Sequence, residues 1–198
     1  MAHRQGIGLV KYGTVWFAAD VNPSRPLTSA TSPVRQSDSL PLGVLALASV
    51  HRIDYVDAFR TSRSGTRRWS ATRWSRHVLE GAPILTRARL VGGWLSLGLD
   101  INPLRRDRVL GWHIASSSKE HVTLSADSRI GINAELVFAG VGDTWWFGTV
   151  LSLDTAAART AWSAIEATHL RVVAALLQDA VDRREARVQG AATRDDAG

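Results

Sequence analysis

Two kinds of hydrophobic periodicity divide the chain into predicted strands and helices. Apolar and polar side chains alternate in four short runs, over residues 109–117, 121–127, 131–140 and 144–153. A period of two is typical of strands with one buried face, and the short links between these runs favour an antiparallel meander. Residues 50–61 alternate in the same way and predict an earlier strand.

A period near 3.6 residues predicts three helices. Two of them follow the first strand, over residues 69–79 and after Pro83, because the fixed φ of proline suits the first turn of a helix. A longer helix follows the last strand, with Asp154 or Thr155 as its N-cap. This order predicts an α+β, helix-grip fold, in which a curved antiparallel sheet wraps around the long C-terminal helix and two shorter helices are inserted after the first strand.

Composition along the chain sets the predicted domain boundaries. Residues 21–43 are rich in proline, serine and threonine, so they bury too little apolar surface to offset the entropy lost on ordering. We therefore predict that residues 1–46 are a disordered or loosely attached extension, that 47–186 form the domain, and that 187–198 are a polar tail.

The overall composition excludes several classes of site. The chain has 198 residues and no cysteine, which rules out disulfides, thiolate metal ligands and a cysteine nucleophile. No P-loop, Rossmann glycine pattern, G-x-S-x-G elbow or H-E-x-x-H motif occurs. No apolar run is long enough to span a bilayer, and the first residues lack a clean secretory signal, so we expect a cytoplasmic location.

The formal charge of +6 comes largely from arginine, which supplies 22 of the 24 basic residues. Codon bias in a GC-rich genome also produces such a composition, so the charge by itself is only weak evidence for a nucleic-acid partner, and nucleic acid is not the expected partner. Eleven arginines do crowd between residues 60 and 108. Residues 60–77 interleave six of them with tryptophan and form a solvated helix face, a nucleic-acid surface, or a phosphate or anionic-membrane surface. The candidates for the last are Arg60, Arg63, Arg67, Arg68, Arg73 and Arg76.

A histidine stands in the apolar stripe of the last helix. Helical spacing puts His169 on the same face as Trp162, Ile165, Val172 and Leu176, so its imidazole points toward the core. It is either a neutral core histidine bonded to a carbonyl or tyrosine, or a cavity imidazole that orients a ligand or moves a proton. Glu166 is a candidate partner, or the two form an ordinary surface pair. One Glu-x-x-His motif does not make a metal site, and no metal or cofactor is expected.

The eight tryptophans offer a second candidate feature, since several occupy inward positions of their predicted elements. Large aromatic side chains fill cores, and they line apolar ligand sites as readily. By contrast, His113 and Glu135 occupy outward positions of their strands and are expected to be exposed. The predicted ligand-binding residues are Trp94, Trp112, Ile114, Leu136, Trp145, Phe147, Trp162 and His169.

Four short segments carry a resemblance to a known superfamily. They are DYVDAFR at 54–60, GWH at 111–113, LSADSRIGINAEL at 124–136, and W-x-x-I-x-x-x-H at 162–169. In order and spacing they resemble a bacterial family of domains of unknown function allied to the START-like (SRPBCC) helix-grip superfamily. That superfamily usually has six or seven strands, whereas five are predicted here, so a smaller or partly open cavity is expected.

The resemblance implies a sheet that encloses an apolar pocket, and members of the superfamily bind lipids, sterols, hormones or polyketides. We therefore expect the protein to bind a hydrophobic small molecule or lipid between the sheet and the last helix. The alternative is a small cyclase or dehydratase with His169 as general acid and base and Glu166 orienting it. A third possibility is an interaction module that uses the arginine-rich face.

Overall fold

The structure, a computed structural model, describes residues 33–195, with side chains up to residue 187. The α+β class predicted from the periodicities is confirmed. The helices and strands of the described residues are β1 Val34–Ser37, α1 Leu42–Leu45, β2 Tyr55–Ser62, α2 Ala71–Leu79, α3 Ile84–Ser96, β3 His113–Ser117, β4 His121–Asp127, β5 Ile132–Val141, β6 Thr144–Leu153 and α4 Ala156–Asp195.

The strands form one curved antiparallel sheet in the order β1-β2-β6-β5-β4-β3. The predicted four-strand meander is therefore correct, and β3 to β6 pair as neighbours along the chain. Strand β2 pairs with β6 over its whole length, from Tyr55 opposite Leu151 to Ser62 opposite Thr144. The structure has six strands where five were predicted, because β1 adds to the edge of β2.

The inner face of the sheet, which packs against α2 and α4, carries the main core. Successive side chains of a strand point to opposite faces of the sheet, so every second side chain lies on this face. Trp74 and Val78 of α2 are completely buried against it, and α4 adds an apolar stripe along its length. The strand residues of this face include Phe59, Val122, Leu124, Ile132, Leu136, Phe138, Trp145, Phe147 and Leu151.

The outer face of the sheet is covered by residues 40–50. Leu40 and Val44 pack on Ala58, Val137 and Val150 and form a second, smaller core with them. The chain comes very close to the sheet at Gly148, where an added Cβ would lie 2.4 Å from Leu40 Cδ1. The sheet is therefore buried on both faces over part of its area.

Two predictions are wrong because of this cover. The domain does not begin at residue 47, since 34–45 supply a strand of the sheet and the side chains over its outer face. Glu135 does occupy the outer face, but it is buried, and it accepts hydrogen bonds from Ser49 N at 2.8 Å and Ser49 Oγ at 2.5 Å. His113 is exposed as predicted. The predicted state of residues 1–32 lies outside the described residues.

The long helix α4 begins at the predicted place. Thr155 caps it, because its Oγ1 accepts a hydrogen bond from Ala158 N at 3.0 Å. The helix continues to Asp195, across most of the predicted polar tail at 187–198, and the side chains of that part lie outside the described residues. Helix α2 is tied to α4 by His77, whose Nε2 lies 2.9 Å from Ala180 O.

Candidate functional site

His169 lies on the face of α4 that is turned toward the sheet. Its side chain is 18% exposed, and its Nε2 lies 2.7 Å from Asp57 Oδ2 and 3.1 Å from Thr149 Oγ1. The ring also meets Trp162 edge-on, with the ring centroids 5.0 Å apart. The imidazole is therefore an inward-facing group with a carboxylate partner on the sheet.

Asp57 accepts two further hydrogen bonds, from groups on its own strand and on the neighbouring strand. It lies directly opposite Thr149 in the β2–β6 pairing, and its Oδ1 accepts a hydrogen bond from Thr149 N at 2.9 Å. Tyr55 OH donates to its Oδ2 at 3.3 Å, and the side chain is only 2% exposed. A buried carboxylate needs such partners, because an unpaired one is strongly disfavoured.

This arrangement determines which ring nitrogen of His169 is protonated when the imidazole is neutral. A carboxylate only accepts hydrogen bonds, so Nε2 carries the hydrogen and donates it to Asp57. The other nitrogen, Nδ1, has no hydrogen-bond partner among the described residues. Its lone pair is therefore available to accept a proton or a hydrogen bond from a ligand.

Tyr55 completes the polar cluster. Burial raises the pKa of its hydroxyl above the usual value, and the negative charges of Asp57 and Glu166 raise this pKa further, so Tyr55 is a hydrogen-bond donor at neutral pH. The expected orienting role of Glu166 is not seen, because Asp57 is the carboxylate that contacts the imidazole. Glu166 is half-buried on α4 near Tyr55.

A cavity of about 60 Å³ lies between the inner face of the sheet, α3 and α4. Its walls are apolar except at Thr149 and His169. The cavity is smaller than most small-molecule pockets, which range over roughly 300–1,000 Å³. Its lining consists of Leu79, Leu90, Trp94, Leu97, Leu99, Trp112, Ile132, Ala134, Leu136, Phe147, Thr149, Leu151, Trp162, Ile165, His169, Val172, Val173 and Leu176.

The structure brings most of the predicted binding residues to this cavity. Those that line it are Trp94, Trp112, Leu136, Phe147, Trp162 and His169. Ile114 and Trp145 lie elsewhere in the core. Trp145 stacks on Trp74 with ring centroids 5.8 Å apart, and its Nε1 donates to Thr66 Oγ1 at 2.8 Å.

Two buried donors beside the cavity are not hydrogen-bonded. The indole Nε1 atoms of Trp112 and Trp162 have no partner among the described residues. Such groups are rare in native interiors, because an unmade hydrogen bond costs about 1–3 kcal/mol. The indole Nε1 of Trp74, which does not line the cavity, is unpaired as well, so this feature is not confined to the cavity.

Sequence reasoning missed Asp57 as the partner of His169, although a signal for it exists. Tyr55 and Asp57 share the inward side of a period-two strand, and a carboxylate at such a position requires a buried partner. Nothing local indicates which partner, since 112 residues separate Asp57 from His169. The cavity residues from α3 and the loop after it were also missed, except Trp94.

The six candidate arginines do not form one surface. Arg63 is buried against Trp145 and pairs with Glu120, and Arg76 pairs with Glu80 within α2. The exposed members are Arg60, Arg67, Arg68 and Arg73.

No cluster of three or more His, Asp or Glu side chains suited to a metal ion occurs in the described part of the chain. Over the same residues, no helix has the length and apolar character needed to cross a bilayer.

No protein-family model, curated protein or solved structure matches the chain. The resemblance to the helix-grip superfamily therefore stays a prediction.

Proposed function

We propose that the protein binds a compact, largely hydrophobic small molecule in the cavity between the sheet and α4. The observation that carries this proposal is an apolar cavity with two polar wall residues, Thr149 and His169, backed by the buried Asp57. Apolar walls with a few placed polar groups are typical of small-molecule sites. A sheet that curls around α4 in the helix-grip manner is part of the same proposal.

The volume of the cavity limits the size of the ligand. At about 60 Å³, it admits a molecule of a few heavy atoms as it stands, and a ring of the size of phenol requires a small outward shift of the walls, since a cavity of roughly 150 Å³ holds benzene. A lipid chain requires a much larger displacement of α3, which is the most weakly held wall, since only Leu90 and Gly93 of this helix are buried. We therefore favour a compact ligand over a lipid, and a lipid becomes an outcome of the test.

The polar groups restrict the ligand further. His169 Nδ1 accepts a hydrogen bond, so a hydroxyl group on the ligand fits beside it. The unpaired indole N–H groups of Trp112 and Trp162, which both line the cavity, favour an acceptor on the same ligand. A phenolic or small alcohol-like compound meets these requirements, and phenol is a suitable probe.

Two alanines on β5 provide a matched pair of variants for the test. Ala134 lines the cavity, whereas Ala139 faces the second core on the opposite side of the sheet. We expect phenol to bind the wild type saturably in calorimetry or methyl NMR titrations. Ala134→Leu fills the cavity and weakens binding at least about tenfold, while Ala139→Leu leaves the affinity unchanged.

The titrations are carried out well below the melting temperature of each variant, which circular dichroism establishes first. Absence of saturable phenol binding by the wild type, or equal weakening in both variants, contradicts the proposal. Native mass spectrometry of protein purified from cells then identifies the ligand class, and a lipid mass would show that α3 moves.

We also propose a cytoplasmic location, because a chain without cysteine suits a reducing compartment.

A second candidate function is acid–base catalysis, and the contact between His169 and Asp57 favours it. His169 Nδ1 takes a proton from a substrate carbon or oxygen, and Asp57 stabilises the imidazolium that results. Proton removal beside a carbonyl is a step that cyclases and dehydratases share. The role of orienting carboxylate belongs to Asp57 in this account.

Acetone is a probe small enough for the cavity, and the exchange of its methyl hydrogens in D₂O reports proton abstraction. We expect the wild type to accelerate the exchange saturably, and His169→Gln and Asp57→Asn each to remove most of the acceleration. No acceleration, or an equal rate with His169→Gln, excludes this second candidate for such ketones and leaves the binding proposal intact.

A further inference from the structure

We propose that a cleft at the start of α2 binds a phosphate group, at a site separate from the cavity. The cleft has a volume of about 450 Å³ and opens to solvent. Its lining residues come from the loop between β2 and α2 and from the first turn of α2, and they are Gly65, Arg67, Arg68, Trp69 and Arg73. No acidic residue lines it.

Two of the three arginines that line the cleft carry a charge that no carboxylate of the described residues neutralises. Elsewhere an arginine is often matched with a carboxylate, as in the pairs Arg76–Glu80 and Arg105–Asp107. Arg68 and Arg73 have no such ion pair among the described residues, whereas Arg67 forms an ion pair with Asp143, which does not line the cleft. Guanidinium groups that face one cleft repel each other, and an anion between them relieves the repulsion.

The loop that carries these arginines is fixed from within. Thr66 is completely buried, and its Oγ1 accepts a hydrogen bond from the indole of Trp145. Trp69 N donates to Thr66 O at 2.8 Å. In the turn before it, Thr66 N donates to Arg63 O at 3.0 Å, and the φ of +72° at Gly65 permits that tight turn. An anchored backbone lowers the entropy lost when the exposed guanidinium groups bind a ligand.

Trp69 positions one of the guanidinium groups. The Cζ atom of Arg73 lies 4.5 Å from the centre of the Trp69 ring, which is a cation–π contact. Such a contact restricts the long arginine side chain and leaves its N–H edge free for a ligand. The planar guanidinium matches the geometry of phosphate oxygens, and two or three of them suit a group with more than one negative charge. Phosphate therefore fits the cleft better than a single carboxylate does.

Inorganic pyrophosphate is the probe, and two double variants of equal net charge form the comparison. Arg68→Gln/Arg73→Gln removes the cleft charges, whereas Arg106→Gln/Arg129→Gln removes two exposed arginines that lie outside it. By titration calorimetry at low salt, we expect the dissociation constant to rise at least about tenfold in the first variant and less than about twofold in the second. Thermal melting establishes that both variants are folded.

Vesicles distinguish the source of the phosphate group. Co-sedimentation with phosphatidylglycerol vesicles, abolished by Arg68→Gln/Arg73→Gln, supports a lipid headgroup as the ligand. Pyrophosphate binding without vesicle binding supports a soluble phosphorylated molecule. The proposal is overturned if the wild type does not bind pyrophosphate, if both double variants lose binding equally, or if only long single-stranded DNA depends on the cleft. Phenol binding does not enter these outcomes.

Discussion

Each face of the sheet buries one carboxylate, and the two differ in what surrounds them. Glu135 on the outer face accepts two hydrogen bonds from Ser49 and lies where residues 40–50 pack closely on the strands. Asp57 on the inner face contacts His169, and that imidazole lines a cavity and has one unpaired nitrogen. Both carboxylates satisfy the requirement that buried charge be hydrogen-bonded.

The difference shows that burial of a charged group does not by itself mark a functional site. Glu135 connects a chain segment to the sheet, and both of its carboxylate oxygens accept a hydrogen bond from Ser49. Asp57 instead accepts the hydrogen on Nε2 of His169, whose other ring nitrogen can still accept a further partner. A cavity-lining imidazole with one nitrogen unpaired among the described residues distinguishes the inner face, and the following variants test that distinction.

The largest effect is expected from Asp57→Ala. The variant leaves the amide of Thr149 without its acceptor and removes the partner of His169 and Tyr55. We expect the free energy of unfolding to fall by about 2–4 kcal/mol in urea titrations, since a buried polar network loses its centre. Phenol affinity falls as well. A decrease in the free energy of unfolding of less than about 1 kcal/mol would contradict this network of hydrogen bonds. Asp57→Asn, which keeps the shape of the side chain and removes its charge, is the control.

Leu40→Ala tests the opposite face. Leu40 is buried against the strands, so truncation leaves a void in the second core and lowers the free energy of unfolding by about 2–3 kcal/mol. Phenol affinity is expected to stay within twofold of the wild type, because the cavity lies on the other side of the sheet. A stability loss accompanied by a large change in affinity would mean that the two faces are coupled.

Ser49→Ala removes the hydroxyl that donates to Glu135 and keeps the backbone donor. We expect the free energy of unfolding to fall by about 1 kcal/mol, as is usual for one hydrogen bond. Denaturation of the single variants and of the double variant with Glu135→Gln measures the coupling between the two side chains. Strict additivity would show that the hydroxyl and the carboxylate do not interact in solution.

The smallest effect concerns pH and involves neither carboxylate. Burial lowers the pKa of His77 below its ordinary value, and nearby Arg183 and Arg187 lower it further. The unfolded chain then binds a proton at a higher pH than the folded protein does, so stability falls as pH drops below about 6.5. His77→Gln does not titrate, so its melting temperature is expected to fall less between pH 7 and pH 5. Parallel curves for the two proteins would contradict this assignment.

The sequence predicts much of the fold because periodicity is local information. The meander of β3 to β6, the two inserted helices and the inward stripe of α4 follow from spacing within short segments. Strand β1 was missed because it is four residues long, lies among proline and serine, and is recognisable only through its pairing with β2, for example Val34 opposite Thr61.

The site was harder to predict than the fold, because its contacts join distant parts of the chain. The position of His169 follows from helical spacing. Its partner Asp57 lies 112 residues earlier in the sequence, on a strand near the start of the described residues. The same holds for Glu135, whose burial depends on residues 40–50 folding back over the sheet. Long-range contacts of this kind carry no local pattern in one sequence.

The ring nitrogens of His169 provide the most direct test of the central claim, that its free nitrogen faces a ligand cavity. Long-range ¹H–¹⁵N NMR of the imidazole, recorded during a phenol titration, observes both nitrogens at once. We predict a hydrogen on Nε2, donated to Asp57, with a saturable shift at Nδ1 as phenol binds and no such shift in Ala134→Leu. A ring protonated at Nδ1, or phenol binding that leaves the Nδ1 resonance unchanged, contradicts the account.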